Sequence, residues 1–293
     1  MGIKLACIGG RAACELVNRG MFPGEPLGPQ ATPFGPSQPV HRCRLSTGEF
    51  LLLYRHGQGN YEVTPSLINY RANIYALRDL GADAVVSWSE TRAISHNFRV
   101  GQYVIVDDLI DETVARPRTF FDDRQLGRLR HWPVFSPALR KALATALTEE
   151  GCDFVDRGIY VCIEGPRHET PAEARKYASY GGELIGQTLA PEVFLAKELQ
   201  MAYASLCFVE RYAETGTPYP AYESGRVLSE AALEQRARAA VERIPGLLAR
   251  LLDALNRAPG ITAELCPPDG ERNGNWRAWF DQMNARRANS VVP

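Results

Sequence analysis

Short apolar runs alternating with helical patterns constrain this chain more than any other feature. Residues 3–8 form a strand-like run that ends in Gly9-Gly10. Residues 84–88, 103–106, 158–163, 183–188 and 202–209 repeat that strand pattern. Between them lie helical stretches: residues 64–80, stopped by Gly81, then 137–151, 171–180 and 191–200. Strands that alternate with helices predict a single α/β domain, a central mixed sheet flanked by helices. Residues 40–45 and 49–54 flank Ser46-Thr47-Gly48 and read as a hairpin. The Pro- and Gly-rich segment 21–39 reads as a loop. Residues 111–135 read as a loop over a pocket, and 214–226 as another loop. Residues 228–257 read as a long amphipathic helix broken at Pro245-Gly246. The domain is expected over 1–257, with 258–293 a partly ordered C-terminal appendage.

Charge and cysteine usage narrow the function classes. The formal net charge is -1. That balance predicts neither a nucleic-acid partner nor binding to an anionic membrane. An anionic ligand would need a local cationic site. The 7 cysteines are odd in number and contain no CxxC pair. They predict no metal site and no disulfide framework, and they suit a reducing compartment. No apolar run approaches the roughly 18 residues of a spanning helix. Residues 1–10 lack a signal peptide's basic and apolar regions. The chain is therefore expected in the cytoplasm.

Four segments carry a family likeness. They are Ile8-Gly9-Gly10; Arg55-His56-Gly57 followed by Pro65 and Ile68-Asn69-Tyr70-Arg71-Ala72-Asn73-Ile74; Glu164-Gly165-Pro166-Arg167-His168-Glu169-Thr170; and Gly186-Gln187-Thr188 with Pro191-Glu192-Val193 and Ala202-Tyr203-Ala204-Ser205. In order and spacing, over about residues 3–255, the chain resembles the trimeric purine nucleoside phosphorylase and methylthioadenosine phosphorylase family. The resemblance implies that family's fold, a homotrimer, and phosphorolysis of a purine nucleoside or 5′-modified nucleoside. Phosphate is then a co-substrate, and no cofactor is implied. Such chemistry needs donors around phosphate and donors near N7 and O6, where charge builds on the leaving base.

The likeness also assigns roles. Arg11 stands where the family has a phosphate-binding Ser or Thr. Arg55, His56, Ser89 and Thr188 complete the implied phosphate set. Glu169 stands where 6-oxopurine members accept a hydrogen bond from N1–H. Arg211 stands at the N7/O6 position, where an arginine donates but cannot accept from a 6-amino group. His168 is expected by the sugar and Gln187 under the ribose, and His131 lies in the loop that in relatives reaches a neighbour's site. Glu169 with Arg211 favours a 6-oxopurine.

The largest departure is Ser89-Glu90-Thr91-Arg92-Ala93, where the family has a loop of small residues. Glu90 brings a carboxylate to the anion site, to be neutralised by Arg11 or Arg92. Two rival functions follow. Glu90 could act as general base for water, giving a phosphate-independent nucleoside or nucleotide hydrolase. Alternatively, the departures at Arg11, Glu90, Arg92, Gln187, Arg211 and Ala213 mark a non-catalytic purine- or nucleotide-binding protein. Plainer readings stand beside these: Glu210-Arg211 as an internal ion pair, and Arg124, Arg128 and Arg130 as a solvated face.

Overall fold

The structure is a computed structural model that describes residues 4–59, 61–95, 97–121, 131–215, 222–223, 226–257, 277–278 and 280–281. The chain begins with β1 (Leu5–Gly9), α1 (Ala12–Asn18), β2 (Gly24–Gly28) and the short β3 (Ala31–Thr32) and β4 (Gly35–Pro36). Next come β5 (Val40–Leu45), β6 (Gly48–Tyr54), α2 (Tyr70–Asp79), β7 (Ala84–Ala93), β8 (Tyr103–Ile105) and β9 (Asp108–Glu112). The middle holds α3 (Pro137–Glu149), β10 (Phe154–Val155), β11 (Ile159–Ile163), α4 (Pro171–Ser179), β12 (Leu184–Gly186) and α5 (Leu189–Glu198). The described part closes with β13 (Ala202–Tyr212), β14 (Tyr222–Glu223), β15 (Arg226–Val227) and α6 (Glu230–Arg257).

An 11-stranded mixed sheet runs in the order β10-β8-β13-β7-β1-β6-β5-β2, with β12, β11 and β9 branching from β7. At its centre β6, β1, β7 and β13 are parallel. Their side chains are apolar on both faces, as a sheet covered twice requires. One face packs with α2 and α5 residues such as Ile74, Leu77 and Val193. The other packs with α3 and α6 through Leu139, Leu143, Ile244 and Leu251. The α/β expectation holds. Among the described residues no helix is long and apolar enough to cross a membrane.

Several local expectations are corrected. Segment 21–39 carries β2, which pairs antiparallel with β5 despite its glycines and prolines. Glycine is needed there: a Cβ on Gly24 would lie 1.9 Å from the Arg42 carbonyl oxygen. The helix expected from Thr64 makes only a 3-10 turn at Pro65–Leu67, and Ile68 is extended at ψ 131°. Asn69 then caps α2, its side chain accepting from Ala72 N–H and donating to the Phe34 carbonyl. Helix α6 continues through Pro245 instead of breaking, because its apolar face stays buried on both sides of the proline. Segment 111–135 contains the end of β9 and is pinned by buried Arg116, which donates to Tyr70 Oη, the Ala190 carbonyl and Glu164. Arg124, Arg128 and Arg130, and most of the expected appendage, lie outside the described residues. From that appendage Phe280 is buried among Phe34, Tyr75, Phe120 and Phe121.

Candidate active site

The carboxyl ends of the parallel strands converge, as ligand sites in α/β sheets do. Strand β1 delivers Gly9-Gly10-Arg11, and β6 delivers Arg55-His56. Strand β7 delivers Ser89 to Arg92, and β13 delivers Glu210 and Arg211. Glycine is required at the β1 turn by contact. A Cβ on Gly9 would lie 2.2 Å from Ala13 Cβ and 2.7 Å from the Trp88 ring. One on Gly10 would lie 2.7 Å from Glu90 Oε2.

Arg55 holds this end of the sheet together. Its guanidinium is fully buried and donates to the carbonyls of Ile8, Gly9 and Trp88, and to Glu192 Oε1 at 3.0 Å. Glu192, in the first turn of α5, accepts from Tyr203 Oη through its other oxygen. Tyr203 Oη also meets Ser87, which donates to Ser205. The structure places Arg55, expected as a phosphate ligand, among protein acceptors. Four of its five N–H groups are taken by protein acceptors, and it clamps β1, β7 and α5 against one another.

His56 is also turned inward. Its Nδ1 is 2.7 Å from the Val63 carbonyl, and its ring stacks on Tyr61 with centroids 4.3 Å apart. A carbonyl only accepts, so Nδ1 carries the proton and the other ring nitrogen is an acceptor. Burial, then the Arg55 charge, lower its pKa to about 4, keeping the ring neutral.

Thr188 sits at the N-terminus of α5, which Glu192 ties to Arg55. Its Oγ1 is buried and has no hydrogen-bond partner, and it does not cap its own helix. Ser89 Oγ is buried and has only the weak Cys207 thiol, at 3.9 Å. Glu90 is partly exposed, and desolvation raises its pKa. Arg11 is exposed and ends on Glu210 Oε1 at 2.9 Å, so it reaches into the site from its rim.

At the other end, Arg92 Nε lies 3.0 and 2.8 Å from the two oxygens of Glu169, whose side chain is 0% exposed. Glu169, expected as the base reader, has its carboxylate facing a cation. A β-bulge between Val209 and Arg211 leaves Glu210 unpaired and turned towards Arg11, while the Arg211 side chain is 58% exposed. His168 is exposed and has its pKa lowered, first by the charge of Arg92. Gln187 donates to the Arg167 carbonyl and packs on Gly165. His131 stands apart within this chain, edge-on to Phe194 of α5.

Sequence reasoning gives no role to Tyr61 or Ser87, and takes in Tyr203 only within a motif. Their roles come from contacts 5 to 118 residues away and leave no local signal. Among the described residues no cluster could hold a metal ion.

Residues 24–253 match the phosphorylase superfamily. The chain belongs to that superfamily. It is 37% identical over 224 residues to a 6-oxopurine nucleoside phosphorylase of Pyrococcus furiosus, covering 72% of this chain and 80% of that one. It is 36% identical over 254 residues to a probable S-methyl-5′-thioinosine phosphorylase of Pseudomonas syringae, covering 85% and 98%. It is 34% identical over 226 residues to an S-methyl-5′-thioadenosine phosphorylase of Thermofilum pendens, covering 76% and 82%. An adenosine/methylthioadenosine phosphorylase of Schistosoma mansoni, solved with adenine, shares the fold at a TM-score of 0.76. It is 21% identical, covering 98% of this chain and 97% of that one.

Proposed function

We propose that this superfamily member cleaves the N-glycosidic bond of a purine nucleoside, 6-oxo and plain or 5′-modified, with phosphate as co-substrate and no cofactor. The carrying observation is Thr188: a buried hydroxyl without a partner, at a helix N-terminus clamped against the Gly9-Gly10 turn. An unspent buried hydroxyl is an uncompensated loss unless a ligand accepts from it. Ser89 and the rim cation Arg11 complete a phosphate cradle.

In this reading a phosphate oxygen attacks the anomeric carbon as the C1′–N9 bond breaks. The bonding pair leaves on the base, which takes up a proton, and the pentose 1-phosphate remains. The relatives named above divide between 6-oxopurine and adenosine-type names, and the site's cationic character at Arg92 supports the 6-oxo choice. The reading includes a cytoplasmic homotrimer. Exposed Trp132, Val114 and Leu67 supply apolar surface for self-association, and free cysteines suit a reducing compartment. Light scattering on the purified protein tests the trimer.

The activity test is base release from inosine, guanosine and 5′-methylthioinosine with phosphate or arsenate varied. Release that ignores both anions sinks phosphorolysis. The second reading, hydrolysis with Glu90 as base, is favoured by the carboxylate packed on Gly10. It requires phosphate-independent release that collapses in Glu90→Gln.

A further inference from the structure

Arg92 is a buried cation among the unusual residues of the site. It lies on β7 where that strand leaves the main sheet, in register with Ile185 of β12 on one side and Arg211 of β13 on the other. Its side chain is 10% exposed, and Glu169 opposite is 0% exposed. The Nε edge of the guanidinium faces the Glu169 carboxylate, with Nη2 2.6 Å from Oε2. Glu169 is fixed in turn by the capping box that starts α4, Thr170 with Glu173. The ion pair therefore sets the plane and direction of the fork.

The far edge of that fork is different. Nη2 lies against Glu169 Oε2 without hydrogen-bond geometry, and among the described residues no acceptor takes a hydrogen bond from Nη1. A guanidinium held on one edge by a carboxylate, with outer N–H groups that no protein acceptor takes, suits a planar partner with two adjacent acceptors. The Hoogsteen edge of a 6-oxopurine, O6 beside N7, presents that pattern, and arginine pairs with it bidentately in nucleic-acid recognition. Adenine offers N7 but places an amino donor where O6 would be, so one N–H would face another.

We propose that Arg92, aligned by Glu169, is the base-reading residue of this site and selects 6-oxopurines by donating to O6 and N7. The inference rests on the purine-nucleoside reading above and deepens it. Glu169 becomes a positioning residue, and exposed Arg211 is relieved of the base-reading role. The same contact serves the chemistry. As the C1′–N9 bond breaks, the electron pair spreads onto N7 and O6, and the fixed cation stabilises that charge more in the transition state than in the bound nucleoside. Arginine does not give up its proton, so the base departs as an anion paired with Arg92 and is protonated from water.

The test compares the full-length protein with Arg92→Lys, which keeps the charge but loses the fork, and with the double variant Arg92→Met/Glu169→Gln, which leaves no buried unpaired carboxylate. Two readouts are used: kcat/KM for inosine and adenosine at saturating phosphate, and calorimetric binding of free hypoxanthine and adenine. The expected result is a loss of about ten- to a hundredfold in kcat/KM for inosine in both variants. Adenosine should change far less, the KM for phosphate should stay within about twofold, and hypoxanthine binding should weaken in parallel. An unchanged inosine-to-adenosine ratio overturns the inference and leaves phosphorolysis standing. Faster turnover of both nucleosides also overturns it, because Arg92 would then be filling the base's space. If the protein turns over nothing, Arg92-dependent binding of hypoxanthine over adenine upholds the inference while the activity reading falls. Binding of neither base overturns both.

Discussion

His56 gives the sharpest link between this structure and a number. Its ring is buried, its Nδ1 proton is committed to the Val63 carbonyl, and the Arg55 cation lies next in the chain. These hold its pKa at about 4 instead of the ordinary 6.5. The folded state thus resists a proton that the unfolded chain accepts. The sign follows from linkage: the contribution is complete above pH 6.5 and is lost as pH falls towards 4. Integrating between those two values, stability should fall by about 2 kcal/mol from pH 7.5 to pH 5 through this residue alone. Carboxylates titrate in the same range, so a variant is needed to isolate the term. His56→Asn keeps an N–H within reach of the Val63 carbonyl and removes the titration. Urea unfolding of both proteins at pH 7.5, 6 and 5, at one protein concentration, measures the difference. The variant should retain about 2 kcal/mol more of its pH 7.5 stability at pH 5 than the wild type does. Equal losses in the two proteins would refute the reasoning, because the ring would then not be a buried neutral donor.

Removing the Glu192 charge should be among the most damaging single changes. Glu192→Ala leaves Arg55 buried and unpaired and should cost about 3–5 kcal/mol of unfolding free energy in urea titrations, whereas Arg42→Ala, which breaks an exposed pair with Glu25, should cost less than about 1 kcal/mol. Thr188→Val should leave thermal stability unchanged or slightly raised, since its hydroxyl has no partner, while the KM for phosphate rises about tenfold, the worth of one lost hydrogen bond to a charged group. Gly10→Ala should weaken phosphate use without unfolding the protein, because the new methyl would meet Glu90 Oε2 at 2.7 Å and push that carboxylate deeper into the anion site. Desolvation raises the Glu90 pKa, so its uncharged form persists to higher pH than an ordinary carboxyl. The KM for phosphate should therefore rise as pH rises through that pKa and Glu90 ionises, and Glu90→Gln should flatten this dependence in initial-rate measurements.

Much of the frame is visible in the sequence because its signals are local. Apolar runs of strand length, Gly81 as the stop of α2 and Pro171 at the head of α4 each act within a few residues. The glycine turn after β1 is legible for the same reason: no side chain fits where Ala13 and Trp88 approach the backbone. What was not legible depends on distant partners. The strand in 21–39 exists because β5 offers it a ladder, and that outweighs its glycine and proline content. Arg55 reads equally well as an anion ligand or a carbonyl clamp, and only the convergence of Ile8, Gly9 and Trp88 carbonyls decides. Arg92 and Glu169 are 77 residues apart, and nothing in either segment announces their pairing. The bulge that exchanges Glu210 for Arg211 at the site is a register event between β13 and β7, and spacing within one strand does not reveal it.

Three arginine–glutamate pairs line this site, and the number of N–H groups each arginine has already spent separates their roles better than charge does. Arg55 has given four of five to protein acceptors and is fully buried, and it ties β1, β7 and α5 together. Arg11 has given one, to Glu210, and is 61% exposed, so water screens the pair and a phosphate can exchange for the carboxylate at little cost. Arg92 is buried like Arg55 yet keeps its outer edge unspent. Because each cation faces a glutamate, the site's net charge is close to balanced and does not by itself favour a more anionic nucleotide over a nucleoside. Selectivity must then come from the unspent donors and their geometry. In the proposed reading those are a hydroxyl at Thr188 for phosphate and the guanidinium of Arg92 for the paired acceptors of a 6-oxopurine.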